Sequence, residues 1–388
     1  MRKGLLIAVT LLLAALFAVS TVGYADTASG DDYENSEAYR LVSEICNLSR
    51  KIGDNEAARS YFQTEFEKIG IIVTEKSFII SDTITGYNIE GRITKAVGGK
   101  QIIIGAHYDS DGQGASDNAA GVAALLLIAK EFAAKQSSLP CNVVFVLFDA
   151  EELGLVGSQQ YVNAMTAEER DNTLVMFNID SIGGGDNLYL WCENKHTDLA
   201  DLIIGKSNRT ITEKPYAKGT FNIFDSFGYG YYEFVQNSDQ TPFRLNGIPT
   251  AFMFSGTYDL DPWHYAENSD VSKRVMNSSN DTFETLVKNT DGKFVEKINA
   301  VVSAVTGSVL DGQFAAIAEN QRSQLVNLNL WYNAWWAKLI AGGILIVLAI
   351  CAVFYYRKLQ KKAILGTAEI KDKKVFSTPE AEDIFTFK

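Results

Sequence analysis

The chain holds only three histidines, so each can be weighed for chemistry. His107 stands in Gly105-Ala106-His107-Tyr108-Asp109-Ser110, and His264 in Asp261-Pro262-Trp263-His264-Tyr265. His196 lies in the polar stretch Asn194-Lys195-His196-Thr197-Asp198 and reads as an exposed turn residue. A single histidine is more often structural than a ligand, but the carboxylates alter that balance. Asp117 sits at the entry to a helix in Ala115-Ser116-Asp117-Asn118-Ala119-Ala120-Gly121, where its ordinary role is an N-cap. Asp180 ends an apolar run, where its ordinary role is a turn or cap residue. Glu151-Glu152 follows another apolar run, and adjacent carboxylates repel each other unless a cation compensates. Taken together, two histidines and several carboxylates at strand ends favour a metal site over a set of unrelated structural residues.

The donor types indicate the metal. Imidazole with carboxylate and no thiolate suits zinc, with manganese or cobalt as substitutes. Five ligands (His107, Asp117, Glu152, Asp180 and His264) exceed what one tetrahedral zinc with an open water position accepts. They suffice for two ions if one carboxylate bridges; such ions sit about 3.5–4 Å apart and polarise a shared water.

Something must hold these groups in place. Ser36 to Ser49 and Glu56 to Ile69 carry apolar residues at helical spacing. Ile71 to Ile80 and Gly86 to Thr94 alternate as strands. The runs Gln101 to Ala106, Asn142 to Asp149, Leu174 to Asp180 and Pro249 to Phe254 read as strands too, as does Asn187 to Trp191. Gly121 to Ala134 is a strongly apolar helix, and Asn280 to Leu310 reads as helical. Strands apolar on both faces and alternating with helices predict an α/β domain of three layers, its mixed and mostly parallel sheet covered by helices. Ligands in such folds sit beyond the carboxyl ends of the strands, where His107, Glu151, Glu152 and Asp180 fall.

The ends of the chain carry addresses. Met1-Arg2-Lys3, the apolar run to Val19 and the small residues of Gly23-Tyr24-Ala25 predict a signal peptide over residues 1–25. Leu339 to Tyr356 lacks charge and is just long enough to span hydrocarbon, which takes roughly 18 residues at the low end. Trp335, Trp336, Tyr355 and Tyr356 flank it as interfacial aromatics, and Arg357, Lys358, Lys361 and Lys362 follow on the cytoplasmic side. The expectation is an outer domain over 26–330, a transmembrane helix over 337–356 and a polar cytoplasmic tail over 357–388. The protein would then be a single-pass protein of the cell membrane with its domain outside. A net charge of -12 argues against nucleic acid as a partner. Cys46, Cys141, Cys192 and Cys351 form no CxxC pair, which excludes a zinc ribbon and favours buried free thiols. One disulfide among the first three is the alternative in an oxidising compartment.

From about Ile45 to Ser272 the sequence resembles the co-catalytic di-zinc aminopeptidases, leucyl-type secreted exopeptidases with a single α/β domain. Their superfamily also holds glutaminyl cyclases and glutamate carboxypeptidases. The opening is similar at Leu48-Ser49-Arg50-Lys51-Ile52-Gly53 and Phe66-Glu67-Lys68-Ile69-Gly70. The His-x-Asp motif matches His107 and Asp109, implying that Asp109 orients the His107 ring. Ser116 to Gly121 matches the segment whose aspartate bridges, here Asp117. The pair Glu151-Glu152 matches a general base followed by a ligand, and Asp180 and His264 match the last two ligands. The resemblance thus implies two Zn2+ ions, one held by Asp117, Glu152 and His264 and the other by Asp117, Asp180 and His107. Two departures stand out. Ser238-Asp239-Gln240-Thr241-Pro242-Phe243 replaces a common Ser-Asp-His before Pro-Phe, and Tyr265-Ala266 replaces a common Thr-Pro after the last histidine. Neither removes a ligand, but both bear on substrate preference.

The activity so implied is hydrolysis of the first peptide bond of peptides with a free N-terminus. A water shared by the metals gives its proton to Glu151, which returns it to the leaving amine. Phe221 to Phe234, rich in aromatics and glycine, could wall the substrate pocket or pack the core. A carboxypeptidase on the same scaffold and a receptor-like ectodomain without catalysis are the alternatives. A one-zinc glutaminyl cyclase fits less well with His107 and Asp180 both present.

Overall fold

The computed structural model describes residues 33–96, 98–185, 187–192, 198–207, 210–213, 238–256, 275, 278–333 and 342–361. The expected signal peptide, the end of the tail, His196, the Phe221 to Phe234 segment and His264 lie outside the described residues. The chain divides into two compact units, residues 1–322 and 323–388.

The first unit is built on an eight-stranded sheet. Its strands are β1 (Val73–Ser81), β2 (Ile84–Ile93), β3 (Gln101–His107), β4 (Asn142–Phe148), β5 (Thr173–Ile179), β6 (Asn187–Cys192), β7 (Ile211–Glu213) and β8 (Thr250–Gly256). Their order across the sheet is β1-β2-β4-β3-β5-β8-β6-β7. The central four, β4, β3, β5 and β8, run parallel to one another. β1 and β2 form an antiparallel hairpin continued onto β4, β6 is antiparallel to β8, and β7 is parallel to β6. The expected mixed, mostly parallel sheet is what forms.

The sequence period explains why both faces are covered. Ile102 and Ile104 of β3, with Val143, Phe145 and Leu147 of β4, face one core cluster. The alternate residues Ile103, Val144, Val146 and Phe148 face a second. Successive strand side chains point to opposite faces, so uninterrupted apolar runs demand a layer on each side. The first cluster is completed by α1 (Glu37–Cys46), α2 (Glu56–Lys68) and α3 (Ala120–Ala134), which precede or follow the inner strands, and by α9 (Phe294–Val309). The second draws on α4 (Val156–Ala164) and on Phe243 of α7 (Gln240–Leu245). α3 is apolar nearly all round because it is enclosed; Ala120 to Leu126 are all buried. Gly105 in β3 lets Phe148 and Met176 close over it, since a Cβ there would meet both side chains.

Between the strands lie α5 (Ala167–Asn172), which opens on a capping box of Thr166 and Glu169, and α6 (Asp198–Lys206). One expectation is refined. The helical stretch Asn280 to Leu310 divides into α8 (Phe283–Thr290) and α9, parted where Asp291 and Gly292 take left-handed φ values of 50° and 75°. An Asp-Gly pair stops a helix in this way because glycine takes left-handed φ at no steric cost and aspartate tolerates it.

α10 (Phe314–Asn333) begins in the first unit, where Arg322 Nη1 donates to the Thr173 carbonyl at 2.5 Å. The second unit contains α11 (Gly342–Lys361), whose apolar window has a mean hydropathy of 1.7 and whose side chains, Ile344 to Leu348 among them, are exposed. It is long and apolar enough to cross a membrane, and it includes residues 342–356 of the expected 337–356 span. Cys46, Cys141 and Cys192 are buried free thiols, as expected, whereas Cys351 on α11 is exposed.

Candidate metal centre

His107 is the last residue of β3, and Asp180 immediately follows β5, its neighbour in the sheet. Asp180 N donates to Met253 O of β8 at 3.1 Å, so the residue extends the ladder by one step before the chain turns away. Asp117 lies in a π-type turn, Ala115–Ala119, that leads into α3. The peptide that follows it is cis, and the side chain that receives a first-turn amide of α3, Gly121 N, is that of Asn118. The N-cap role open to Asp117 is therefore not the one it takes. Its Oδ1 lies 3.0 Å from His107 Nε2, and Asp180 Oδ1 lies 3.3 Å from the same nitrogen. One donor atom from each of the three residues falls within 4.8 Å of the others, and all three residues are buried.

Each side chain is fixed by its surroundings. Asp180 accepts from Ser181 Oγ at 2.8 Å and from Ser238 Oγ at 2.6 Å. Ser238 in turn accepts from Asn178 Nδ2 at 2.7 Å. Asn118 ties the turn to the sheet. It donates to Ile179 O at 2.9 Å and accepts from Gly121 N at 3.0 Å and Ser181 N at 3.2 Å. The Asp281 carboxylate accepts from Ser116 N at 2.8 Å and Asp117 N at 2.9 Å. Burial pushes the Asp281 carboxyl up to about 7 despite those amides.

Glu151 and Glu152 follow β4 by way of Asp149, a buried carboxylate held by Tyr87 N, Asn55 and the Ala150 amide. Ala150 takes a left-handed φ of 58°, which turns the chain toward the strand ends. Asp109 receives the amides of Glu151 and Glu152 at 3.0 and 3.2 Å. Its Oδ1 lies 3.6 Å from His107 Nδ1, longer than a hydrogen bond. Asp109 thus joins the loop after β3 to the loop after β4 besides facing the histidine ring.

The electrostatics are those of crowded, buried acids. Burial lowers the basicity of His107, but Asp180, then Glu151, outweigh it and hold the imidazole well above its usual range. Burial raises Asp180, yet the His107 charge prevails and keeps it ionised below its ordinary value. Asp117 is raised by burial and then by Asp180. Glu151 is raised well above the carboxylate range, first by desolvation, with Asp180, Asp239 and Asp117 adding to it. Glu152 is exposed as a residue, yet its carboxyl is pushed up to about 8 by desolvation and then by Asp117. Asp239 is buried and reaches about 7 mainly through burial. A divalent cation relieves such crowding, because it neutralises several carboxylates at once. One imidazole nitrogen among carboxylate oxygens, with no thiolate near, is a donor set that fits zinc.

Of the five ligand positions read from the sequence, His107, Asp117 and Asp180 come together, and Glu152 stands on the adjoining loop outside the three-residue cluster. Sequence reasoning missed Asn118, Ser238 and Asp281 as holders of the site. In sequence Ser238 is visible only as part of the segment in which Gln240 departs from a common motif, and Asp281 stands in a polar stretch with no metal-ligand spacing.

A profile of peptidase family M28 matches residues 88–298. Leupeptin-inactivating enzyme 1 of Streptomyces exfoliatus is 28% identical over 253 residues, which is 63% of this chain and 54% of that protein. Aminopeptidase YwaD of Bacillus subtilis (strain 168) is 28% identical over 217 residues, 50% of this chain and 43% of its own length. The chain therefore spans about half, or less, of these curated relatives. Among solved structures, an aminopeptidase from Aneurinibacillus sp. strain AM-1 superposes with a TM-score of 0.51 at 17% identity, covering 71% of this chain and 93% of that one. The glutaminyl cyclase of Porphyromonas gingivalis superposes with a TM-score of 0.54 at 19% identity, covering 74% and 100%. At such identities the structures speak for the fold alone, and that fold is shared by an aminopeptidase and a cyclase.

Proposed function

This chain belongs to peptidase family M28, and from that premise we propose that it is a zinc-dependent aminopeptidase anchored in a membrane by α11. The observation that carries the proposal is the convergence of His107 Nε2 with Asp117 and Asp180 at the carboxyl ends of parallel strands. In this reading His107, Asp117 and Asp180 would hold one zinc, and Asp117, Glu152 and His264 would hold a second. Bound zinc supplies Lewis acidity, polarising a peptide carbonyl and making a nearby water easier to deprotonate.

The protein's own groups do the rest. Glu151, whose carboxyl is raised by desolvation, takes the proton of the attacking water and delivers it to the leaving amine. Asp109 fixes where Glu151 stands by receiving its amide, while its carboxylate faces the His107 ring. Ser238 and Ser181 hold the Asp180 carboxylate in one orientation. Peptides with a free N-terminus are the proposed substrates. The domain lies on the outer side, and the basic residues Arg357, Lys358, Lys361 and Lys362 mark the cytoplasmic flank.

The test is metal content together with hydrolysis of amino-acid anilides beside N-blocked peptides. About two zincs per chain, the number a co-catalytic site needs, with cleavage of free-amine substrates alone is the expected result. Cleavage at the carboxyl end would make the protein a carboxypeptidase. Cyclisation of an N-terminal glutaminyl peptide without hydrolysis would place it with the cyclases that share the fold. A folded protein with neither metal nor turnover would be a binding ectodomain.

A further inference from the structure

Arg50 is 1% exposed, a full guanidinium charge inside the domain, and none of the chemistry described so far uses it. It lies between α1 and α2, far from the sheet in sequence, yet its donors go to the loop that joins His107 to Asp117. Nη1 donates to Tyr108 O at 3.1 Å, and Nη2 donates to Gly114 O at 2.9 Å and also to Gln113 O. The Arg50 carbonyl accepts from Ser110 N at 3.2 Å, so the residue holds that loop through both its backbone and its side chain. The loop is built around this contact. Gly114 has a φ of +48°, and a Cβ there would collide with Arg50 Nη2, Ser110 Oγ and Asp117 O.

At the far end of the same loop the bond direction reverses. Asp281 receives the amides of Ser116 and Asp117, and its own carbonyl receives Ala115 N at 3.3 Å. A cation holds the carbonyls and an anion holds the amides, and Asp117 is the residue this arrangement delivers opposite His107. A buried charge is tolerated only where dipoles and counter-charges surround it. Here the guanidinium has the loop carbonyls as well as the nearby charges of Asp281, Asp109 and Asp117.

We propose that Arg50 and Asp281 are positioning residues for metal binding, clamping residues 108–117 so that Asp117 is presented to the ion in one geometry. The inference rests on the reading of His107, Asp117 and Asp180 as a zinc site. Neither residue touches the ion or the substrate; both act through the loop backbone. A planar fork suits this task, because Lys cannot span the Tyr108 and Gly114 carbonyls from one flat group.

The experiment uses the full-length, detergent-solubilised protein and measures zinc affinity by chelator competition for the wild type, Arg50→Ala, Arg50→Lys and Asp281→Asn. Cobalt absorption spectra report ligand geometry in the same set. Loss of an outer partner of a metal site weakens affinity about 10- to 100-fold, and that is expected for Arg50→Ala, with a smaller loss for Arg50→Lys. Millimolar guanidinium ion should restore much of the affinity of Arg50→Ala by refilling the vacated site. Asp281→Asn, which keeps the volume but removes the charge and one acceptor, should show a similar loss, and it decides the matter if Arg50→Ala does not fold. Affinities within twofold of wild type and unchanged cobalt spectra in the folded variants would overturn the proposal. So would a weakened Arg50→Ala that guanidinium fails to rescue, because the loss would then be general destabilisation. A wild type that binds no zinc would instead sink the metal reading beneath it.

Discussion

Replacing Asn118 by alanine removes three buried hydrogen bonds at one stroke. The side chain donates to Ile179 O and accepts from Gly121 N and Ser181 N, and the residue is 0% exposed. At about 1 kcal/mol net per bond, the loss is roughly 3 kcal/mol, and more if the three stranded backbone groups find no water. At roughly 2–4 °C per kcal/mol for a domain of this size, the melting temperature should fall by roughly 6–12 °C. Asn118→Asp makes the comparison sharper. It keeps both accepted bonds but sets a carboxylate oxygen against Ile179 O, and only a protonated acid can donate there. Burial raises the pKa of such an acid, so this variant's deficit should be small at low pH and grow as pH rises. Thermal unfolding followed by circular dichroism across pH 5 to 8 would show both effects. A shift below about 2 °C for the alanine variant would refute the accounting. Equal, pH-independent deficits in the two variants would refute the assignment of donor and acceptor.

Other perturbations separate chemistry from scaffold. Glu151→Gln should retain metal and fold while turnover falls roughly 10²–10⁴-fold, the usual contribution of a general base; near wild-type rates in a zinc-replete assay would remove Glu151 from that role. Ser238→Ala deletes the 2.6 Å bond to Asp180 but leaves Asn178 bonded to Gln240 at 2.7 Å. Zinc affinity of the folded variant, recorded by chelator competition, should drop about tenfold, and the loss of two buried hydrogen bonds should lower the metal-free melting temperature by roughly 4–8 °C. Glu90 should govern part of the acid stability. Burial raises its carboxyl, but Arg92, Lys76 and Tyr161 outweigh that, so its folded value lies below the ordinary 4.5. Its stabilisation is complete above that value and is lost as pH falls through the folded one. Glu90→Gln should therefore cost about 1.5 kcal/mol at pH 7, the low end for a charge-assisted bond because both cations are over a third exposed. The two proteins should converge in stability once pH has fallen through the folded value, and a gap that persists in acid would contradict the reading.

Much of this architecture was legible in the sequence, and the reason is periodicity. β3, β4, β5 and β8 fall within a residue or two of their expected bounds because apolar runs on both faces have few alternatives. The same runs marked His107, Asp180, Glu151 and Glu152, since polar residues where such strands end invite a chemical explanation. Local pattern failed where contacts are long-range or weakly patterned. α4, with Gly157, Ser158, Gln159, Gln160 and Asn163 among its nine residues, shows little amphipathic signal. The break at Asp291-Gly292 was overrun, although the dipeptide itself is a turn signal. The position of Asp117 offers a cap as well as a ligand role, and only the fold shows that the amides of its turn go to Asp281. Asp109 was read as a partner of the His107 ring alone, whereas the structure also gives it the amides of Glu151 and Glu152.

The clamp on residues 108–117 has a temporal consequence. One jaw, Arg50, is among the first parts of the domain to be synthesised, and the other, Asp281, is among the last. A growing chain that has produced His107, Asp117 and Asp180 still lacks the group that fixes the amides of Ser116 and Asp117. The geometry needed to capture an ion with full affinity therefore arises only when nearly the whole domain has emerged. Metal loading would come at the end of folding and in the compartment where folding finishes, which would keep partly made chains from competing for zinc.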